Sequence, residues 1–261
     1  MKLSISNIAW AAEFDSAVYD MMRERDYAGL EIAPTRIFPD SPYDKNDDAK
    51  KWTEELKSNY GFCVPSMQSI WYGRKELLFG SDKERNTLLK YTKKAIDFAE
   101  TIGCGNLVFG CPRNRSLPED KDAKTAVSFF RELGEYAASH NTVIGMEANP
   151  PIYNTNYIND TKSALELIKE VDSEGFLLNL DVGTMVENDE SVSLLEDNVK
   201  YINHVHISEP NLARINKRDL HKELAKLLCD SSYTGFVSIE VGRQDDIKEL
   251  AYMMDYVREI F

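Results

Sequence analysis

Four residues with metal-binding or acid–base side chains end four short apolar stretches in the second half of the chain. They are Glu147 in "VIGMEANP", Asp181 in "FLLNLDVG", His206 in "INHVHIS" and Glu240 in "FVSIEVG". Carboxylate oxygens and imidazole nitrogens bind divalent cations, and carboxylates also remove and return protons. Histidine is scarce, with four in 261 residues, so the presence of His204 beside His206 also requires an explanation. Whether these groups act together depends on the fold.

The rest of the chain alternates short β-branched or apolar runs with longer amphipathic helical patterns. Strands are predicted at residues 2–10, 29–34, 63–71, 106–112, 143–150, 176–183, 202–208 and 236–242. Helices are predicted between them, and one has a clear start in the capping box of Ser81 and Glu84. Eight strands alternating with about eight helices predict a parallel sheet that closes into a (β/α)8 TIM barrel.

An open, doubly wound α/β sheet is the alternative fold. Such a sheet carries a glycine-rich turn after its first strand when it binds a dinucleotide. In "GCGNLVFG" (103–110) the glycines come before a predicted strand instead of after one, so this alternative is disfavoured. The chain has no low-complexity segment and no linker, and we therefore predict one α/β barrel domain over residues 1–261.

The alternation of side chains along the last four strands predicts which residues point into the barrel. In one parity every side chain is aliphatic and must be buried against the helices. This set comprises Ile144, Met146, Leu178, Leu180, Val205, Ile207, Val237, Ile239 and Val241. The opposite parity therefore faces the barrel axis and places Glu147, Asp181, His206 and Glu240 at the carboxyl ends of the strands, where barrel enzymes do their chemistry. His204 lies one layer deeper, as a supporting residue.

Three carboxylates and one imidazole at the mouth of a barrel predict a metal site. The carboxylates would repel one another and take up protons unless a cation neutralised them. An oxygen-rich site with one nitrogen suits one divalent ion, Mn²⁺ or Mg²⁺ first and Co²⁺ or Zn²⁺ next. Any one of these residues alone could be a surface carboxylate, a helix cap or a core histidine. Their recurrence on four successive strands, with one parity and at one end, favours a shared site.

The motifs "GMEANP", "NLDVGTM", "HVHISEP" and "GFVSIEVG" resemble those of the xylose-isomerase-like TIM barrels, the sugar phosphate isomerase/epimerase superfamily. The resemblance covers essentially the whole chain and is strongest from residue 143 onward. It implies that Glu147, Asp181, His206 and Glu240 bind one divalent metal ion. It also implies that Glu147 and Glu240 are the catalytic acid–base pair of a sugar or polyol isomerase or epimerase, which transfers a proton through an enediolate.

The chain departs from this family pattern in two places, which keeps other reactions open. Thr184 stands where several relatives carry a substrate-contacting histidine, and the relatives' arginine and glycine-rich loop after the strand-7 histidine is missing. A lyase- or deglycosidase-like elimination on an oxidised sugar glycoside is therefore the alternative reaction at the same site. An endonuclease IV-like activity would need more histidines, and a barrel without catalytic activity would not need all four ligands.

Further residues could contact a substrate, although each also has an ordinary structural explanation. Glu31 has inward parity, and His221 begins a predicted helix near the mouth. The predicted substrate-binding residues are Glu31, Gln68, Trp71, Tyr153, Thr184, His221 and Arg243. Most aromatic and polar residues after strand ends are packing or surface residues, and a single arginine beside two aspartates is a weak phosphate signal.

Composition narrows the class of partner. The formal net charge of −13 disfavours nucleic acid, because binding to a phosphate backbone requires clustered lysine and arginine. No segment approaches the roughly 18 apolar residues of a membrane span, and the first residues do not read as a signal peptide. We expect a cytoplasmic protein that acts on a small-molecule sugar or polyol, and a homo-oligomer remains open.

Overall fold

The parallel sheet at the centre of the molecule is curved and contains seven regular strands. In the computed structural model, which describes residues 1–261, they are β1 (Lys2–Ser6), β2 (Gly29–Glu31), β3 (Leu107–Phe109), β4 (Ile144–Met146), β5 (Phe176–Asp181), β6 (Ile202–Ile207) and β7 (Phe236–Ile239). Every pair of neighbours is parallel, in the order β2-β1-β7-β6-β5-β4-β3. The strands are shorter than predicted, because the residues that follow them turn into loops.

The eighth predicted strand is present as a short segment, residues 63–67, that bridges the two edges of this sheet. The amide of Leu30 in β2 donates to the carbonyl oxygen of Cys63 at 2.9 Å, and the amide of Val108 in β3 donates to that of Met67 at 2.9 Å. Pro65 interrupts the segment because it has no amide hydrogen to donate to a ladder. The segment nevertheless joins β2 to β3, and the predicted (β/α)8 barrel is confirmed.

Helices surround the sheet and follow its strands in the expected alternation. They are α1 (Asp15–Glu24), α2 (Pro34–Ile37), α3 (Asn46–Tyr60), α4 (Asp82–Ile102), α5 (Lys124–Ser139), α6 (Thr161–Val171), α7 (Val182–Glu187), α8 (Asp219–Asp230) and α9 (Ile247–Ile260). The predicted capping box starts α4, with the Glu84 amide donating to the Ser81 hydroxyl and the Ser81 amide donating to the Glu84 carboxylate. No helix combines the length and apolar character that crossing a membrane would require.

The two faces of the strands differ as the alternation predicts. The aliphatic parity, from Ile144 through Val241, is fully buried and belongs to one continuous apolar cluster between the sheet and the helices. The opposite parity is also buried but polar, with Asn179, His204 and Ser238 at one per cent exposure or less. Helix packing therefore stabilises the outside of the barrel, whereas the polar groups inside it depend on hydrogen bonds, such as those between Asn179 and its neighbours Asn106 and Glu147.

Close packing between α5 and the turn before β5 provides a test of this architecture. A Cβ at Gly175 would clash with the carbonyl oxygen of Gly134 and lie 2.6 Å from the amide nitrogen of Ala138, both in α5. Gly175→Ala should therefore lower the free energy of unfolding by about 1–3 kcal/mol, measured by urea denaturation. In the control Gly105→Ala the new Cβ meets its nearest atom only at 4.0 Å, so we expect a change within about 0.5 kcal/mol. Equal effects in the two variants would contradict this packing.

Candidate metal centre

The carboxyl edge of the sheet brings the four predicted ligands to one level. Asp181 ends β5 and is paired in register with His206 in β6. Glu147 and Glu240 come directly after the residues that end β4 and β7, and their backbone amides continue the ladders by donating to neighbouring strands. All four residues are buried, with at most 8% exposure. The barrel thus concentrates three carboxylates and one imidazole in a site shielded from water.

His206 lies at the centre of this group. Its Nδ1 is 3.0 Å from Oε1 of Glu147 and 3.2 Å from Oε2 of Glu240. One ligand atom of each of these residues lies within 4.8 Å of the others, which is close enough for them to share a cation. Asp181 completes the site, with Oδ1 accepting hydrogen bonds from the Gly183 amide at 2.7 Å and from the Ser208 hydroxyl. Its Oδ2 lies 3.5 Å from the Thr184 hydroxyl, which donates instead to the Ala148 carbonyl oxygen, so Oδ2 is available to a ligand.

The electrostatics of the group fit a divalent cation. Burial raises the pKa of Asp181 to about 7, and the negative charges of Glu147 and Glu240 add to the shift. Burial also raises the pKa of Glu240. Although burial opposes it, the charges of Glu240 and Glu31 raise the pKa of His206 well above its usual value. Carboxylates crowded in this way take up protons unless a cation neutralises them, and their oxygens are of the kind that binds divalent cations.

Glu31, the last residue of β2, lies beneath His206 and is fully buried. Its Oε2 is 2.9 Å from Nε2 of His206 and 3.0 Å from Nε2 of His204, although the latter is not aligned for a hydrogen bond. Burial alone would raise the pKa of Glu31, but the two histidines hold it well below its usual value. Because Nε2 of His206 faces Glu31, Nδ1 faces the mouth, as in the carboxylate–histidine pairs that orient metal ligands.

From the sequence, Glu31 was predicted either to contact substrate or to make a structural hydrogen bond, and His204 was placed in a supporting layer. The sequence did not identify His206 as the partner of Glu31. The only sequence signal for that contact was the inward parity of Glu31 in "GLEIAP". Parity identifies a residue that points inward but not its partner across the barrel. The three side chains of Glu31, His204 and His206 also bring potential ligand atoms together, although all three are fully buried.

Both oxygens of the Glu147 carboxylate accept hydrogen bonds from side-chain amides. Nδ2 of Asn179 donates to Oε1 at 2.9 Å, and Nδ2 of Asn149 donates to Oε2 at 3.2 Å. Each oxygen retains a further lone pair, so the carboxylate can still bind a cation. The two amides were not predicted as functional residues, although Asn179 shares the inward parity of the ligands.

Three other predicted substrate residues are engaged by the protein itself. Gln68 donates to the Ser6 hydroxyl at 2.6 Å and to Glu31 at 3.1 Å, next to the buried histidines. The indole of Trp71 donates to the Thr92 hydroxyl at 2.8 Å inside the apolar core. Thr184 donates to the carbonyl oxygen of Ala148 at 2.9 Å and is 1% exposed. Trp71 therefore packs in the apolar core, and Thr184 holds the loop that contains Ala148.

The remaining predicted substrate residues lie in different surroundings. The Tyr153 hydroxyl accepts a hydrogen bond from the Asn211 amide, and burial, followed by nearby carboxylates, raises its pKa to about 12. His221 is fully buried, with Nδ1 at 2.9 Å from the hydroxyl of Tyr256 on α9. Arg243 is exposed on the loop after β7. Among the three, Tyr153 is the residue on which the charges of Asp181, Glu147 and Glu240 act.

Known proteins share this fold and its sequence pattern. A model of the xylose isomerase-like TIM barrel family matches residues 19–260. D-Psicose 3-epimerase from Clostridium cellulolyticum H10 is similar in structure, with 16% identity, a TM-score of 0.80 and coverage of 100% of this chain and 99% of that chain. 3-Keto-D-glucoside 4-epimerase, YcjR, from E. coli has 20% identity, a TM-score of 0.78 and 99% coverage of both chains. A sugar phosphate isomerase/epimerase from Parabacteroides distasonis has 15% identity, a TM-score of 0.71 and coverage of 98% and 93%. No curated protein sequence matches the chain.

The buried pair of Glu31 and His206 predicts a pH-dependent loss of stability in Glu31→Gln. With EDTA present, the variant should have a free energy of unfolding about 3 kcal/mol lower than that of the unmodified protein at pH 7. The folded-state pKa of Glu31 lies below the ordinary 4.5, so its contribution is present above that pH and is lost as the pH falls through the folded pKa. The difference measured by urea denaturation should therefore shrink in acid.

Glu55→Gln, on the exposed face of α3, is the matched control for this substitution. It should change the free energy of unfolding by less than about 0.5 kcal/mol at pH 7. The difference in the free energy of unfolding between Glu31→Gln and the unmodified protein should depend on pH. If it stayed constant from pH 7 into acid, the charge of the carboxylate would not be what stabilises the pair.

Proposed function

Because the chain belongs to the xylose isomerase-like TIM barrel family, we propose that it is a divalent-metal-dependent isomerase or epimerase of a sugar or polyol. One observation carries the proposal: the carboxylates of Glu147 and Glu240, which directly follow β4 and β7, both approach Nδ1 of His206, at 3.0 and 3.2 Å. A buried pair of glutamates around one cation-binding group is what proton transfer beside a carbonyl requires. The names of structurally similar proteins, which are sugar epimerases, agree with this class.

In this proposal Glu147, Asp181, His206 and Glu240 hold one divalent ion through carboxylate oxygens and the Nδ1 of His206. When bound, such an ion polarises a substrate carbonyl and stabilises the negative charge that forms when the neighbouring carbon loses a proton. The protein supplies the orientation. Glu31 holds the imidazole ring from below, and the Gly183 amide and the Ser208 hydroxyl hold one oxygen of Asp181.

Glu147 and Glu240 are the proposed acid–base pair. They stand on strands separated by β5 and β6, so a substrate lying across the mouth would have one carboxylate on each face. One carboxylate removes the proton from the carbon next to the carbonyl, and the other returns a proton to the opposite face or to the adjacent carbon. Their burial keeps bulk water away from the negative charge that forms on the substrate, and the carboxylates exchange their protons with solvent between turnovers.

The substrate is proposed only as a sugar or polyol with a carbonyl next to the reacting carbon. Thr184 uses its hydroxyl on the backbone of Ala148, so it does not replace the histidine that several family members use on substrate. The loop after β6 is held by Arg218, which binds both oxygens of Glu209. These differences keep the elimination on an oxidised glycoside as the second reaction, and one similar structure is named as an epimerase of a 3-keto-D-glucoside.

Isotope exchange tests the acid–base assignment. With Mn²⁺ and a panel of ketoses and 3-keto-glycosides in deuterated water, mass spectrometry should detect one deuterium entering an isomerised sugar. Glu240→Gln should reduce this rate by about 10²–10⁴-fold, because a neutral amide cannot take or return the proton. The exposed Glu187→Gln in α7 is the control and should retain the rate of the unmodified protein.

The products of the same experiment separate the two reactions. Release of the aglycone from a 3-keto-glycoside, with an unsaturated sugar as co-product, would favour elimination over epimerisation. If Glu240→Gln incorporated deuterium at the rate of the unmodified protein, the role of Glu240 as an acid or base would be contradicted.

Calorimetric titration with Mn²⁺ tests the metal site. The unmodified protein should bind one ion, and His206→Gln should lose most of that affinity because the site loses its only nitrogen ligand. His140→Gln is the matched control, since His140 contacts Tyr136 and Asp97 on the outer helices. Binding of Mn²⁺ should also raise the midpoint of thermal unfolding in the unmodified protein and in this control. Absence of binding to the unmodified protein would contradict the proposed function.

A further inference from the structure

Arg115 is a fully buried cation that pairs with no carboxylate. Its side chain is 0% exposed and lies between β3, the loop after β4 and the loop before α6. Nη1 donates to the carbonyl oxygen of Glu147 at 2.8 Å and, less closely, to that of Phe109 at 3.4 Å. Nη2 donates to Oδ1 of Asn149 at 3.0 Å and to the carbonyl oxygen of Ile158 at 3.2 Å.

Removing this charge from water costs free energy, so the position of Arg115 calls for a reason beyond packing. Burial lowers the pKa of Arg115 to about 10, which still leaves the guanidinium protonated at neutral pH. An apolar residue of similar volume would avoid the cost of removing a charge from water. What the guanidinium provides and an apolar side chain cannot is a set of fixed N–H donors. Two of its four hydrogen bonds end on residues at the candidate metal centre.

The bond to Asn149 determines which way that amide faces. Because Oδ1 of Asn149 accepts from Arg115, Nδ2 must be the end that is turned toward Glu147, where it donates to Oε2 at 3.2 Å. If the amide rotated by half a turn, its oxygen would face the carboxylate and repel it. Arg115 has no acceptor atom with which to favour that rotated form.

The other oxygen of Glu147 is held by a second oriented amide. Nδ2 of Asn106 donates to Oδ1 of Asn179 at 3.2 Å, which leaves Nδ2 of Asn179 to donate to Oε1 of Glu147. The backbone of Gly110 also lies close to the Glu147 carboxylate, since a Cβ added at Gly110 would be 2.7 Å from Oε2. The carboxylate is thus held from two sides by amides whose own orientation is set by a donor further out.

We propose that Arg115 is a positioning residue that acts through Asn149 to fix the carboxylate of Glu147 in the orientation that binds the metal. The inference rests on the proposed function, in which Glu147 is both a metal ligand and a proton-transfer group. Arg115 touches neither metal nor substrate in this arrangement. Its effect reaches the site by two routes, the Asn149 amide and the carbonyl oxygen of Glu147 itself.

Mn²⁺ affinity measured by calorimetry tests the relay without requiring turnover. Asn149→Ala removes the donor to Glu147 and should weaken Mn²⁺ binding by about 10–100-fold, the usual effect of losing a group that orients a ligand. Asn159→Ala is the matched control, because Asn159 holds the same loop through the carbonyl oxygens of Asn149 and Thr155 without contacting Glu147. It should change the affinity by less than about threefold. Equal weakening in both variants would overturn the proposal, since it would show a general loosening of the loop.

A double-variant cycle tests whether Arg115 acts through Asn149. Arg115→Lys keeps the charge but lacks the fork that binds two acceptors, so it should also weaken Mn²⁺ binding. Combined with Asn149→Ala, it should weaken binding by clearly less than the product of the two separate factors, because the amide it orients is already absent. Independent, multiplicative losses would overturn the relay.

Crystal structures of the unmodified protein and Asn149→Ala separate this inference from the proposed function. If the unmodified protein bound no metal, the proposed function would fail, but the carboxylate of Glu147 should still change its orientation when Asn149 is truncated. A carboxylate of Glu147 that keeps its orientation in Asn149→Ala would overturn the inference, whatever the metal result.

Discussion

The buried contact between Glu31 and His206 is the interaction on which the rest of the candidate centre depends. It joins β2 to β6 across the inside of the barrel and leaves only one nitrogen of His206 facing the mouth. A carboxylate with no access to water is tolerated there because the imidazole can share a proton with it. The same ring meets Glu147 and Glu240 on its other side, so its orientation determines where three candidate ligand groups converge.

The interior of the barrel is unusual for a packed core because polar side chains fill it. Asn106, Asn179 and Gln68 are all buried. Asn106 donates to Asn179, Asn179 donates to the carboxylate of Glu147, and Gln68 donates to the Ser6 hydroxyl. Such a network stabilises one arrangement only if its members are satisfied, since a buried polar atom without a partner costs about 1–3 kcal/mol. The apolar contacts that hold the fold together are instead made by the outward faces of the strands, against the helices. The barrel therefore separates the region that provides stability from the region that positions functional groups.

The loops above the barrel limit which side chains can contact a substrate. Thr184 and Glu209 both follow strands that carry candidate metal ligands, yet each is bound within the protein: Thr184 to the Ala148 carbonyl and Glu209 to Arg218. Side chains committed in this way are not free to select a substrate by hydrogen bonding. In the proposed function, recognition would come from other groups around the mouth, where the charges of Asp181, Glu240 and Glu147 help to raise the pKa of Tyr153.

The sequence by itself determined the barrel, the outward aliphatic face and the four groups at its mouth. Apolar and polar residues alternate along each strand, and this local alternation indicates which side chains are buried against the helices. That these four residues bind a metal remains a prediction. Only the tertiary structure decided which distant residues meet: Glu31 lies beside His206, 175 positions later, and Arg115 donates to Oδ1 of Asn149 on another loop. It also showed that Pro65 reduces one predicted strand to a bridging segment and that Trp71 lies in the core. Contacts of this kind depend on strand register, barrel closure and loop conformation, which no local pattern of residues encodes.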